Sequence, residues 1–145
     1  MDLPDLAATA ALGAAIAARV RVGAVVALSG GLGAGKTTLA RAILAALGHD
    51  GEVPSPSFAI LELYEAPPLP IAVVHADFYR LKSPAEVDEL GLDDYRGHAL
   101  LIAEWPENAG GFGADPACLS VAIEAGITGR WAIVSPGAEW LSRMP

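Results

Sequence analysis

Gly30-Gly31-Leu32-Gly33-Ala34-Gly35-Lys36-Thr37 fits the pattern G-x-x-x-x-G-K-[ST] at every fixed position. The pattern has a structural requirement: it works only between a buried strand and the first turn of a helix. Val25-Val26-Ala27-Leu28 supplies a short apolar strand before it, and Thr38 to Leu47 follows with apolar residues at helical spacing. From the chain's own composition a match by chance is on the order of 10⁻³. A loop of this kind wraps a β-phosphate with inward-pointing N–H groups, and the helix behind it adds its positive end. Gly33, Ala34 and Gly35 then line the phosphates, Lys36 reaches the β- and γ-phosphates, the Thr37 hydroxyl faces Mg²⁺, and Thr38 sits near the α-phosphate.

With 145 residues, 53% of them hydrophobic, the chain reads as one domain over residues 1–145. No apolar run approaches the roughly 18 residues of a membrane span, and the N-terminus lacks the layout of a signal peptide, so a cytoplasmic location is expected. Cys118, the one cysteine, lies in an apolar stretch and reads as a buried thiol. A net charge of −8, with nine Lys and Arg residues and no basic run, counts against direct gripping of nucleic acid phosphates.

The expected elements are a helix over 5–20 capped by Asp5, a strand over 24–29, and a helix from the loop to Gly48. A proline-rich loop at 53–57 precedes two strands, 58–64 and 71–77, paired as an antiparallel hairpin. Ser83-Pro84-Ala85-Glu86 has the form of a capping box opening a short helix to Leu90, with Gly91 as its stop. A second short helix over 92–96, strands at 98–103, 118–124 and 130–135, and a helical turn at 138–143 complete the chain.

A phosphate loop also needs a carboxylate at the end of a neighbouring strand, holding Mg²⁺ directly or through water. Asp77 and Glu104 each end an apolar strand and both qualify. Leu28-Ser29-Gly30-Gly31 overlaps the phosphate loop and cannot double as a transporter signature, and the two D-x-x-G matches at Asp88 and Asp94 follow no apolar strand. His75 and His98 read as structural histidines, and Trp131 and Trp140 as core or surface cover.

Taken in order, Ala8-Thr9-Ala10-Ala11-Leu12-Gly13, Leu32 to Thr38, Val53-Pro54-Ser55-Pro56-Ser57-Phe58, His75-Ala76-Asp77-Phe78-Tyr79-Arg80-Leu81, Glu89-Leu90-Gly91 with Asp94-Tyr95, and Glu104-Trp105-Pro106 span nearly the whole chain. Together they resemble the TsaE (YjeE) family, small ATPases of tRNA threonylcarbamoyladenosine biosynthesis. The resemblance implies binding and slow hydrolysis of ATP with Mg²⁺. It also implies two protein partners, the TsaD transferase and its companion TsaB, which modify adenosine 37 of tRNA. It puts Thr37 and Glu104 at the magnesium site, makes Asp77 catalytic beside the leaving phosphate with Lys36, and sets Trp105 near the nucleotide. Thr9 and Arg130 would hold the nucleotide's outer side, and Ser55–Ser57 would form a switch-like loop. The chain departs from the family at Gly31, where Asp is usual, and at Ser57, where Thr is usual.

The fold expected is a P-loop NTPase-like three-layer α/β sandwich with a central mixed, mostly parallel sheet. Two other functions share the loop: a small-molecule kinase, which needs a lid that carries arginines onto the transferred phosphate, and a non-catalytic nucleotide sensor, which Gly31 favours. Because no cation cluster is available to release counterions from RNA, the isolated protein is expected to show no appreciable tRNA binding at physiological salt. A filter-binding titration checks this, and tight binding by the lone protein would contradict it.

Overall fold

The computed structural model describes residues 1–54, 61–127 and 129–145. Asp5 is extended, and its carboxylate accepts from the N–H of Ala8 at 2.8 Å, which starts α1 (Leu6–Ala17) after the two-residue strand β1 (Asp2–Leu3). β2 (Val25–Ser29) runs into the phosphate loop, and α2 (Lys36–Ala46) leaves it. β3 (Leu61–Tyr64) and β4 (Ala72–Asp77) pair antiparallel, as the proline-rich turn between them requires. Then come α3 (Leu92–Arg96), β5 (Ala99–Glu104), β6 (Cys118–Gly126) and β7 (Gly129–Pro136).

The strands form one sheet in the order β1-β7-β6-β2-β5-β4-β3. Pairing is parallel through the four central strands, β6-β2-β5-β4, and antiparallel at both edges. Strands buried on both faces carry near-continuous apolar runs, and β5, with all six residues buried, is the clearest case. Val26, Leu28, Leu100 and Ile102 pack with Ile16 of α1 and Leu39 and Ile43 of α2. Val25, Ala27, Leu101 and Ala103 pack with Phe78, Leu81 and Leu92 on the opposite side. The expected three-layer, mixed sandwich is present.

Three local expectations are corrected. The segment Pro84–Leu90 is a 3₁₀ helix, and the Ser83 side chain makes no capping bond. Glu86 accepts instead from the N–H of Lys82 at 3.3 Å, while its own N–H goes to the Ser83 carbonyl at 3.2 Å, which is 3₁₀ spacing. The last helical turn is also 3₁₀ and short, Ala138–Trp140, and α1 stops at Ala17 rather than Val20. A further 3₁₀ turn at Pro106–Ala109, together with β1, is additional to the expected elements. Trp140 is buried in the core with its indole N–H on the Ala117 carbonyl at 2.7 Å, whereas Trp131 is partly exposed on β7.

α1 and α2 touch closely where α1 carries Gly13. A Cβ there would lie 2.6 Å from the Ala42 Cβ and 2.9 Å from its carbonyl carbon. Alanine has the better helix propensity by about 1 kcal/mol, but the crowding would push apart two helices that share one core. Gly13→Ala is therefore expected to cost a net of about 1–3 kcal/mol, read as a lower thermal midpoint. An unchanged midpoint would show that the helices yield freely.

Candidate functional site

Parallel register decides what meets at the carboxyl edge of the sheet. Leu28 of β2 sits opposite Glu104 of β5, and Glu104 sits opposite Asp77 of β4. The strand that feeds the phosphate loop thus ends beside β5, which ends in Glu104, and β5 in turn beside β4, which ends in Asp77. This is the edge at which open α/β sheets bind ligands.

Inside the loop, Gly30 has φ 144° and approaches β6 so closely that a Cβ would lie 2.3 Å from the Ile123 carbonyl oxygen. Gly35, at φ 110°, begins α2 in a left-handed conformation that any side chain would strain. Lys36 is almost fully buried, and its ammonium donates to the carbonyls of Gly30 (2.9 Å) and Gly31 (2.7 Å). The same ammonium lies 4.3 Å from the centre of the Trp105 ring, a cation–π contact. Burial pulls its pKa below the usual lysine value, opposed by the charges of Glu104, Asp77 and Glu107. Trp105 itself is left-handed (φ 55°, ψ 49°), and its N–H continues the ladder to the Leu28 carbonyl at 3.3 Å. The Tyr79 ring packs against the Trp105 ring, the two centroids 4.9 Å apart.

Glu104 is 2% exposed, and both its oxygens are engaged. Oε1 accepts from the Thr37 hydroxyl at 2.7 Å, and Oε2 lies 2.6 Å from Nε2 of His75. Asp77, half-buried, accepts from the N–H of Tyr79 at 3.0 Å. Burial pushes its carboxyl above the usual aspartate range, the Tyr79 bond opposing and the nearby Glu104 charge adding to the rise. No cluster of three or more His, Cys, Asp or Glu side chains suited to a metal occurs among the described residues. The donors at this edge are a hydroxyl and carboxylate oxygens, the hard set that magnesium takes when phosphates supply further oxygens. Thr37 and Glu104 fit such an ion as a partial shell, not as a closed cage.

The other residues singled out from the sequence are distributed unevenly. Ala34 is buried in the loop, Gly33 is exposed, and Thr38 is half-buried in the first turn of α2. Arg130 donates to the Gly33 carbonyl at 3.3 Å and lies beside Gly35, so β7 does bring it to the loop. A cleft of about 320 Å³ opens next to it, between Pro4, Asp5 and Leu6 on one side and Ala125, Gly129 and Arg130 on the other. Thr9 is buried, and its hydroxyl bonds to the Asp5 carbonyl of its own helix at 3.5 Å, with no hydrogen bond to the loop among the described residues. Ser55–Ser57 lie outside the described residues. His75 was expected to be structural, yet it sits directly on Glu104. In the sequence it stands two residues before Asp77, on the same strand face, and opens the segment His75 to Leu81 that carries part of the family resemblance. Gly31 is exposed, and a Cβ there would meet nothing within 4 Å.

Comparison with known proteins points to one family. The family model described as "Threonylcarbamoyl adenosine biosynthesis protein TsaE" matches residues 3–130. A curated protein of that pathway, TsaE of Haemophilus influenzae, is 41% identical over 88 residues, covering 58% of this chain and 52% of its own. TsaE of Streptomyces coelicolor is 42% identical over 101 residues, covering 66% of each. TsaE of Mycobacterium tuberculosis is 38% identical over 113 residues, covering 72% of this chain and 67% of the other. The chain thus spans about half to two thirds of the length of these curated relatives. The crystal structure of YdiB from Bacillus subtilis superposes with a TM-score of 0.78 at 27% identity, over 99% of this chain and 93% of that one. With the family model matched over most of its length and a phosphate loop set against two strand-end carboxylates, the chain belongs to the TsaE family.

Proposed function

We propose that this protein binds ATP with magnesium, hydrolyses it slowly, and serves tRNA threonylcarbamoyladenosine modification through TsaD and TsaB. The observation that carries the reading is the 2.7 Å hydrogen bond from Thr37 to Glu104, which links the first turn after the phosphate loop to the end of the adjacent strand. Thr37 and Glu104 would hold the magnesium ion, and Lys36 would turn from the Gly30 and Gly31 carbonyls to the phosphates. Magnesium, when bound, would offset charge on the β- and γ-phosphates. Asp77, opposite Glu104 in register, would orient a water for attack on the γ-phosphate. Arg130 would meet the nucleotide from the β7 side, and Trp105 would cover Lys36.

A kinase reading gains little support. Arg41 is spent on the Val53 carbonyl, Arg96 on Asp115 and the Gly23 carbonyl, and Arg143 on the Arg19 carbonyl, so these guanidiniums do not form a lid over the loop. The sensor reading rests on Gly31, whose place in the loop is open enough for the family's usual aspartate. Phosphate release by the protein alone, and again with TsaD and TsaB, separates the three readings. An accessory ATPase releases phosphate slowly alone and faster with its partners; a sensor releases none in either case.

Two sets of substitutions follow. Lys36→Ala removes the cation from the phosphates, and loss of a charge-assisted hydrogen bond of about 1.5–3 kcal/mol should weaken ATP binding about tenfold or more in calorimetry. Unchanged affinity and turnover would remove the assignment of the loop. Glu104→Gln should keep the fold and some nucleotide binding while losing magnesium-dependent turnover. Asp77→Asn should lower hydrolysis with a smaller effect on magnesium affinity. Magnesium titrations of the two variants in the opposite order would exchange the roles of the acids.

A further inference from the structure

We infer that His75 is a positioning residue that aims the Glu104 carboxylate at Thr37 and so sets the affinity of the nucleotide site for magnesium. The inference rests on the magnesium reading above and goes beyond it, because His75 has no place in that reading. His75 is fully buried, at 0% exposure, on the same face of β4 as Asp77. Its Nε2 is 2.6 Å from one oxygen of Glu104, whose other oxygen takes the Thr37 hydroxyl at 2.7 Å. Imidazole, carboxylate and hydroxyl form one chain from β4 through β5 to the first turn of α2.

The second ring nitrogen decides how the chain is polarised. Nδ1 of His75 is buried with no hydrogen-bond partner among the described residues. A proton there would be an N–H stranded in the core, at a cost of about 1–3 kcal/mol, whereas an unprotonated nitrogen leaves only a lone pair. A single ring proton therefore belongs on Nε2, which donates to Glu104. Glu104 is then an acceptor from both sides, and neither oxygen is free to swing away. Without the His75 bond, the carboxylate keeps one anchor and can rotate about it. Partners that orient a metal-binding carboxylate typically contribute about 10–100-fold to metal affinity when removed.

The chain lengths of the two amide side chains provide the test. A glutamine amide at position 75 reaches about as far as Nε2, and an asparagine amide only about as far as Nδ1. His75→Gln and His75→Asn are similarly polar, but glutamine alone can donate to Glu104. ADP binding would be measured by calorimetry in EDTA and across a magnesium titration, with circular dichroism and thermal midpoints recorded for each protein. The expected result is that all three proteins bind ADP within about threefold of one another in EDTA. In the magnesium titration His75→Gln stays near the wild-type midpoint while His75→Asn needs about tenfold more magnesium or worse. Equal midpoints for the two variants, or a loss that appears equally in EDTA, would overturn the inference while leaving the magnesium reading in place. A wild-type protein whose ADP affinity ignores magnesium would overturn both. Should His75→Asn fail to fold, His75→Gln decides alone: a midpoint shifted tenfold despite a native spectrum refutes the donor role.

Discussion

The hydrogen bond between Thr37 and Glu104 ties together parts of the chain that are 67 residues apart. It can form only because β2 and β5 are parallel neighbours ending level with each other, with Leu28 opposite Glu104. An antiparallel pairing of the same strands would place the carboxylate at the far end of the sheet. Much of the architecture can be read as support for this alignment. β5 is buried along its whole length, β4 adds a second parallel partner on one side of it, and β6 holds β2 on the other. β6 also passes so near Gly30 that the loop's first residue has no room for a side chain.

The site is charged in a way that burial makes consequential. One lysine and two carboxylates meet where the sheet surfaces, and desolvation moves the pKa of Lys36 and Asp77 toward their neutral forms while the opposite charges resist. The resistance matters because a phosphate loop is useful only with a charged lysine. The neighbouring acids thus counter the burial that lowers the pKa of that lysine.

Much of this site is legible in the sequence. The phosphate loop announces itself by the spacing of Gly30, Gly35 and Lys36, and the strand-end acids by an apolar run that breaks at a carboxylate. Those signals are local, so they survive translation into sequence. The bond between His75 and Glu104 does not, because it depends on which strands are neighbours, and strand order is set by packing over the whole chain. The Ser83 capping box failed for a related reason: the right residues stood at the right spacing, but Pro84 and the short span to Gly91 settled into 3₁₀ geometry, in which Glu86 reaches Lys82 instead. β1 is two residues long and exists because β7 offers it an edge, which no propensity scale records.

The lysine that waits in the loop has its own effect on exchange. Its two carbonyl bonds and its ring contact all lie within the chain, so the ammonium is not a loose donor. An incoming polyphosphate must displace the carbonyls of Gly30 and Gly31 from the ammonium, and the net attraction is the difference between two sets of charge-assisted bonds. The attraction of the loop for a polyphosphate would therefore be smaller than that of a lysine with no internal partner.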